Sequence, residues 1–394
     1  MTIKNTLYLG LILLIASFVT VQLSVAQVPC GPTIIPSPTL FVNWPQFQYD
    51  TAHTGCNPYE SILKPSNVGT LAPKWSNRED EASYSSAVLA DGIVYVSLVC
   101  CHLADALVQA FNGRTGEMIW QYDKGSIAPF SSPAIANGIV YAGSVDGNLY
   151  ALNSKTGALI WKYATVYTPI PPTPTVADGV VYFGSQDSNV YALNAATGAL
   201  IWKYAIGGPP GPAPAVANGV VYVGSDQVYA LNAGTGALIW QYPKATGLAL
   251  SVAGGKVYVA SDQLYALNAS TGALVWNYPA KGAGSVAVGT GKVFLAASDN
   301  NTYALNAATG ALIWQYQPQD TAPSSPVIAN GVVYVGYQAQ LRALDSGTGA
   351  FLWSATDSQG FWSSATVANG MVYAGIDALD QQTARFYAFS LNGQ

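Results

Sequence analysis

Few residues in this chain have the type and spacing to do chemistry. Cys100, Cys101 and His102 are consecutive, two sulfurs and an imidazole that are metal ligands by type. Zinc motifs space their ligands as separated pairs, so this run does not match one. With Cys30 and Cys56 the chain has four cysteines, an even set that allows three connectivities and reads in an exported chain as disulfide staples. Structural disulfides are therefore expected among Cys30, Cys56, Cys100 and Cys101. No Cys-x-x-Cys-His run occurs, so a covalently held c-type haem is excluded. His53 is one of two histidines and has no nucleophile or orienting acid at a recognisable spacing. Asp146, Asp187, Asp226, Asp262 and Asp299 recur at equivalent places. They are a ring of metal ligands by type, but Asp in such positions bonds to its own local backbone, and turn formation is the expected role.

The elements that must position these residues are set by a repeat. Tyr150-Ala151-Leu152-Asn153-Ser154-Lys155-Thr156-Gly157-Ala158-Leu159-Ile160-Trp161 recurs along the chain, with its Trp at Trp120, Trp161, Trp202, Trp240, Trp276, Trp314 and Trp353. The steps run from 36 to 41 residues, a period that marks a solenoid, propeller or array. An apolar pair lies upstream of each motif, from Val94-Tyr95 and Val140-Tyr141 to Val333-Tyr334, and an eighth, Val372-Tyr373, follows the last Trp. Eight pairs against seven motifs leave one Trp strand missing at the C-terminus. Leu71-Ala72-Pro73-Lys74-Trp75 supplies it from the other end. The expected fold is all-β: an eight-bladed β-propeller of four-stranded antiparallel blades, closed by an N-terminal strand pairing with the C-terminal blade. Closure leaves no open blade-to-blade gap in the ring.

Composition agrees. Half the residues are hydrophobic, 9% are charged and the formal charge is −5, which gives no basic footprint for nucleic acid and excludes a disordered body. Lys4, an apolar run over residues 7–19 and small residues before Gln27 predict a secretory signal peptide over 1–26, cleaved after Ala26. The competing reading is an uncleaved anchor, since 7–26 is long enough to span a bilayer. Val28-Pro29 before Cys30 is a poor lipobox. Residues 27–43 are a Pro/Thr-rich linker, and 44–394 form the propeller.

Residues 44–75 together with the Ala-x-Asn-x-x-Thr-Gly-x-x-x-Trp repeats resemble the PQQ-repeat, quinoprotein-like propeller family. That family includes quinoprotein alcohol dehydrogenases and the propeller lipoprotein of outer-membrane protein assembly. The resemblance implies that Trp75, Trp120, Trp161, Trp202, Trp240, Trp276, Trp314 and Trp353 dock flat on the next blade's motif. It also implies that Cys100-Cys101 echoes the vicinal disulfide of the dehydrogenases, although here the pair sits in a blade hairpin. A dehydrogenase of this kind would need calcium held by Glu, Asn and Asp, an Asp base and cationic groups for the quinone. The expected inner strands, from Tyr84-Ser85-Ser86 and Ser131-Ser132-Pro133 to Ser363-Ser364-Ala365, contain no Asp, Glu, Lys, Arg or His.

Up-and-down blades put the Asn-Gly and Thr-Gly turns on one face and the variable loops on the other. A ligand, if one binds, is expected on the loop face; Tyr84, Phe130, Tyr167, Phe361 and Trp362 fall near its mouth, where packing of the funnel rim is the first reading of them and a stacking site that binds a sugar or peptide is the second. The expected function is an exported, non-catalytic, monomeric propeller that binds or scaffolds a protein, peptide or glycan in the periplasm or outside the cell, with no metal and no cofactor. The alternative is a PQQ- and calcium-dependent oxidoreductase.

Overall fold

A computed structural model describes residues 42–79, 83–99, 106–123, 131–144, 146–165, 173–211, 213–243, 249–280, 283–318, 324–338, 340–357, 360–361, 363–376 and 384–393. They form eight sheets. Blade 2 is representative, with strands Ala134–Ala136, Ile139–Gly143, Asn148–Asn153 and Leu159–Ala164, each antiparallel to the next. The turn at its first hairpin places Asn137 at φ 50 and Gly138 at φ 76, the left-handed pair that a two-residue hairpin needs and that Asn-Gly adopts most readily. The first strands of successive blades touch in a closed circle, and Thr366–Ala368 returns to Val88–Ala90. The ring is complete.

Its closure is the strand exchange that the repeat count implies. Leu71–Glu79 pairs antiparallel with Ala384–Leu391, which places Trp75 opposite Ala388, and Met371–Gly375 and Thr366–Ala368 complete blade 8. The buried cluster at this seam joins Leu71, Trp353, Val372, Phe386 and Phe389 to Val94 and Phe111 of blade 1. Elsewhere the core lies between neighbouring sheets; Tyr222 and Trp240 of blade 4, for example, pack on Val257, Val259 and Leu267 of blade 5.

The repeat residues explain why the sheets stack. Trp120 Nε1 donates to the Ser154 carbonyl at 2.8 Å and Trp161 Nε1 to the Ala195 carbonyl at 3.0 Å, each in the following blade. A tyrosine from the same blade donates to the same oxygen: Tyr95 Oη to Ser154 at 3.2 Å and Tyr141 Oη to Ala195 at 3.0 Å. One carbonyl thus satisfies two buried donors with its two lone pairs. The indole also needs a residue without Cβ beneath it. At Gly157, φ is 71 and a Cβ would stand 2.7 Å from Trp120 Cε3. Blades 6 and 7 depart from this pattern: blade 6 has Phe294 in place of the tyrosine, and in blade 7 Trp353 Nε1 reaches Leu71 O at 2.8 Å but the buried Tyr334 hydroxyl has no hydrogen-bond partner among the described residues.

A bulge between the third and fourth strands, at Ala151/Leu152 in blade 2, recurs in blades 1 to 7. It turns two consecutive side chains outward on the last strand, so Leu159 and Ile160 are 42% and 45% exposed.

Candidate functional site

The inner strands are short and bear small side chains, which leaves an axial channel and eight inner edges with unpaired backbone groups. Buried backbone donors must find partners. The segment 44–57 provides them in a single circuit. Leu89 N donates to Trp44 O at 2.8 Å, Ile135 N to Pro45 O at 2.7 Å and Val176 N to Gln46 Oε1 at 3.1 Å. Val216, Val252, Val288 and Ile328 then donate to the carbonyls of Thr51, Ala52, Thr54 and Gly55 at 2.6 to 2.8 Å. Cys56–Asn57 lies parallel to Val327–Ala329, and Asn57 Nδ2 donates to Val367 O at 2.7 Å. The order of contact along the segment is the order of the blades, one to eight. The segment forms a collar that fills the hub, and its role was missed in the sequence, where it reads only as a lead-in.

Above the collar, toward the loop face, a cavity of about 230 Å³ remains. Phe47, Gln48 and His53 line it from the collar; the starts of inner strands, including Ala213, Ser285 and Ser325, form the wall. His53 is 2% exposed. Its Nε2 lies 3.0 Å from Thr175 Oγ1, whose hydroxyl donates to Pro214 O at 2.6 Å. Burial pushes the imidazole down to about 4, opposed in part by the Leu250 carbonyl, so His53 is neutral at physiological pH. Asp50 shifts the other way. Burial raises its carboxyl to about 6, although the Thr54 N–H at 2.9 Å and hydroxyl at 2.7 Å favour the charged form. Gln48, Tyr49 and His53 sit at φ 57, 76 and 55. Left-handed backbone at such residues costs on the order of 1–3 kcal/mol each and persists only where the surroundings hold it.

The expected site residues are placed unevenly. Phe130, Tyr167 and Trp362 lie outside the described residues, as do Cys30, Cys100, Cys101, His102 and the apolar segment 7–26. Tyr84 lies in the strand Ser83–Tyr84, opposite Leu98. Phe361 is 2% exposed and packs at 6.1 Å on Tyr387 and 6.4 Å on Phe389, inside the seam rather than open to a ligand. Cys56 is buried and disulfide-bonded. The aspartates are turn formers with a second duty. Asp146 Oδ1 accepts from Asn148 N at 3.0 Å and its Oδ2 from Tyr150 Oη at 2.5 Å, and Asp187 and Asp299 repeat the arrangement. Among the described residues, no three His, Cys, Asp or Glu cluster closely enough to hold a metal, and no helix is long and apolar enough to cross a membrane.

The family model described as outer membrane protein assembly factor BamB matches residues 69–170, 166–247, 224–365 and 317–391. The chain belongs to this family. Among solved structures, BamB from Moraxella catarrhalis is 21% identical, with 80% of this chain and 97% of that one covered at a TM-score of 0.64. Quinohemoprotein alcohol dehydrogenase ADHIIG from Pseudomonas putida HK5 is 16% identical, with 94% and 83% covered at 0.74. The quinohemoprotein alcohol dehydrogenase of Comamonas testosteroni is 17% identical, with 89% and 81% covered at 0.72. At these identities the likeness establishes the propeller fold that the BamB-family chain shares with both groups. No curated protein matches the sequence.

Proposed function

We propose that this BamB-family propeller is an exported, non-catalytic scaffold that holds a protein partner at the cell envelope. The observation that carries the reading is the hub. A quinone cofactor bearing several carboxylates calls for cationic groups, and calcium takes six to eight oxygens that normally include carboxylates. Among the described residues, those lining the axial cavity offer neither: the one titratable group among them is His53, kept neutral by burial. The described donor set supports a reading without PQQ and calcium, because a cofactor supplies its chemistry only where the protein positions it.

Two features favour a protein over a glycan. Each outer strand from blade 1 to blade 6 presents an exposed aliphatic pair, from Met118 and Ile119 to Leu312 and Ile313, and apolar surface flanking an open strand edge suits another polypeptide. Family membership points the same way, because the BamB description is that of an assembly factor. We further propose that residues 1–26 act as a signal peptide, that the disulfide of Cys56 closes on Cys30, Cys100 or Cys101, and that the propeller is a monomer.

The test is a titration of purified protein with PQQ and calcium, followed by absorbance and by dye reduction with an alcohol. No saturable binding and no turnover are expected. Saturable binding with alcohol-dependent dye reduction overturns the proposal in favour of an oxidoreductase.

A further inference from the structure

Among the described residues, each of the eight outer strands is hydrogen-bonded on one side only. The other edge offers backbone N–H and C=O groups to any further strand, a liability that proteins blunt with charge, lysine above all. Blades 2 and 3 follow that rule: Lys162 and Lys203 stand exposed at the fourth position of Leu159–Ala164 and Leu200–Ala205. Blades 4, 5 and 6 do not. In Leu238–Tyr242, Leu274–Tyr278 and Leu312–Tyr316 the same exposed position holds Gln241, Asn277 and Gln315. No charged residue occurs from Asn232 to Tyr242, from Asn268 to Tyr278 or from Asn306 to Tyr316, stretches that include the turn before each strand. The corresponding turn carries Lys155 in blade 2 and Arg114 with Glu117 in blade 1. Blades 4 to 6 do have charges elsewhere, at Asp226, Lys256, Asp262, Lys292 and Asp299. The three unguarded strands also present Leu238 and Ile239, Leu274 and Val275, and Leu312 and Ile313, all 41 to 48% exposed.

We infer that the outer edges of blades 4 to 6 are docking sites for an extended, uncharged segment of another protein, which adds to the sheet as one more strand. The edge sets the class of ligand, because only another polypeptide backbone supplies N–H and C=O groups at the spacing of a ladder. The missing charges set its sequence. Apolar side chains at alternate positions pack on the aliphatic pairs, whereas a charged side chain placed there loses water and gains no partner. Each edge strand has five residues, and Pro243 and Pro279 follow the first two, so the added strand is about five residues long, proline being unable to extend the ladder. Such docking presupposes the scaffold role proposed above and specifies the partner's chemistry.

The probe is the capped peptide acetyl-Gly-Val-Thr-Val-Thr-Val-Gly-amide, against the same peptide N-methylated at two adjacent central residues, which removes one ladder donor from each of its edges. Hydrogen exchange of the intact protein, followed by mass spectrometry across a peptide titration, is expected to show saturable slowing in 238–242, 274–278 and 312–316 and none in 159–164 or 200–205. The N-methylated peptide should slow none of them. The triple variant Gln241→Lys, Asn277→Lys, Gln315→Lys installs the residue that blades 2 and 3 already carry in near-identical strands, and should weaken binding at least about tenfold. Lys162→Gln with Lys203→Gln should extend the slowing to blades 2 and 3. No saturable binding, equal slowing in blades 2 and 3 of the native chain, equal action of the N-methylated peptide, or unchanged affinity in the folded triple variant each overturns the proposal. Self-association in sedimentation that the three lysines abolish also overturns it, and assigns the edges to a second copy of the chain. If the triple variant does not fold, the comparison of the two peptides on the native chain decides. The scaffold role itself is tested separately, by the titration with PQQ and calcium.

Discussion

Asp50 and His53, three residues apart in the collar, titrate over nearly the same range with opposite effects on stability. Asp50 rises from 3.8 to about 6 on folding, so between those values the folded chain binds the extra proton. Its contribution is complete below the window and is lost as pH climbs through it. His53 falls from 6.5 to about 4, so there the unfolded chain holds the extra proton, and stability is lost as pH drops. At 1.36 kcal/mol per pH unit each displacement is worth about 3 kcal/mol. For Asp50 that is a ceiling, because its surface is only partly buried. The two slopes nearly cancel between pH 4 and 6. Removing either one exposes the other: Asp50→Asn should lose up to about 3 kcal/mol relative to wild type on acidification from pH 6.5 to 4, and His53→Gln a similar amount as pH rises from 4 to 6. Guanidinium unfolding at a series of pH values reads this directly, and other titrating groups such as Glu60 cancel in the comparison with wild type. Difference curves that are flat, or that slope the same way in both variants, would refute the reasoning.

Three further outcomes follow from the packing. Trp120→Ala removes a buried indole together with its bond to Ser154 and should cost about 3–5 kcal/mol in a denaturant melt, and Gly157→Ala should act in the same direction by pushing a methyl into that ring. Tyr141→Phe should cost about 1 kcal/mol by deleting the bond to Ala195 O, whereas Tyr334→Phe at the seam should be neutral or stabilising because its hydroxyl is unpaired. Peptide mapping without reduction should find Cys56 in a crosslinked peptide that includes Cys30, Cys100 or Cys101; a free Cys56 thiol would contradict its disulfide.

The ring was legible because its cause is written in side chains. The surplus Val372-Tyr373 pair and the orphan Trp75 strand can be matched by pattern, and Asn137-Gly138 announces its own turn. The collar was not legible for the opposite reason. It meets most blades through its own carbonyls, which any residue possesses, and its left-handed turns fall on Gln48, Tyr49 and His53 rather than on glycines. A signal did exist in the requirement that eight small-residue inner strands find partners for their edge N–H groups. Reading His53 in isolation hid its partner Thr175, which is 122 residues away. Phe361, which the blade order places near the loop-face mouth, is buried by packing on Tyr387 and Phe389, two residues whose nearness depends on the closure of the last blade.

Residues 44–57 fill the hub and bond to the inner strands of the eight blades. Hydrogen exchange of the intact protein, followed on the peptide covering this segment, tests that most directly. The amides of Trp44, Tyr49, His53, Thr54 and Gly55 are all bonded within the hub, so the segment should exchange as slowly as the blade strands. Exchange within seconds would place the segment on the surface and leave the axis open.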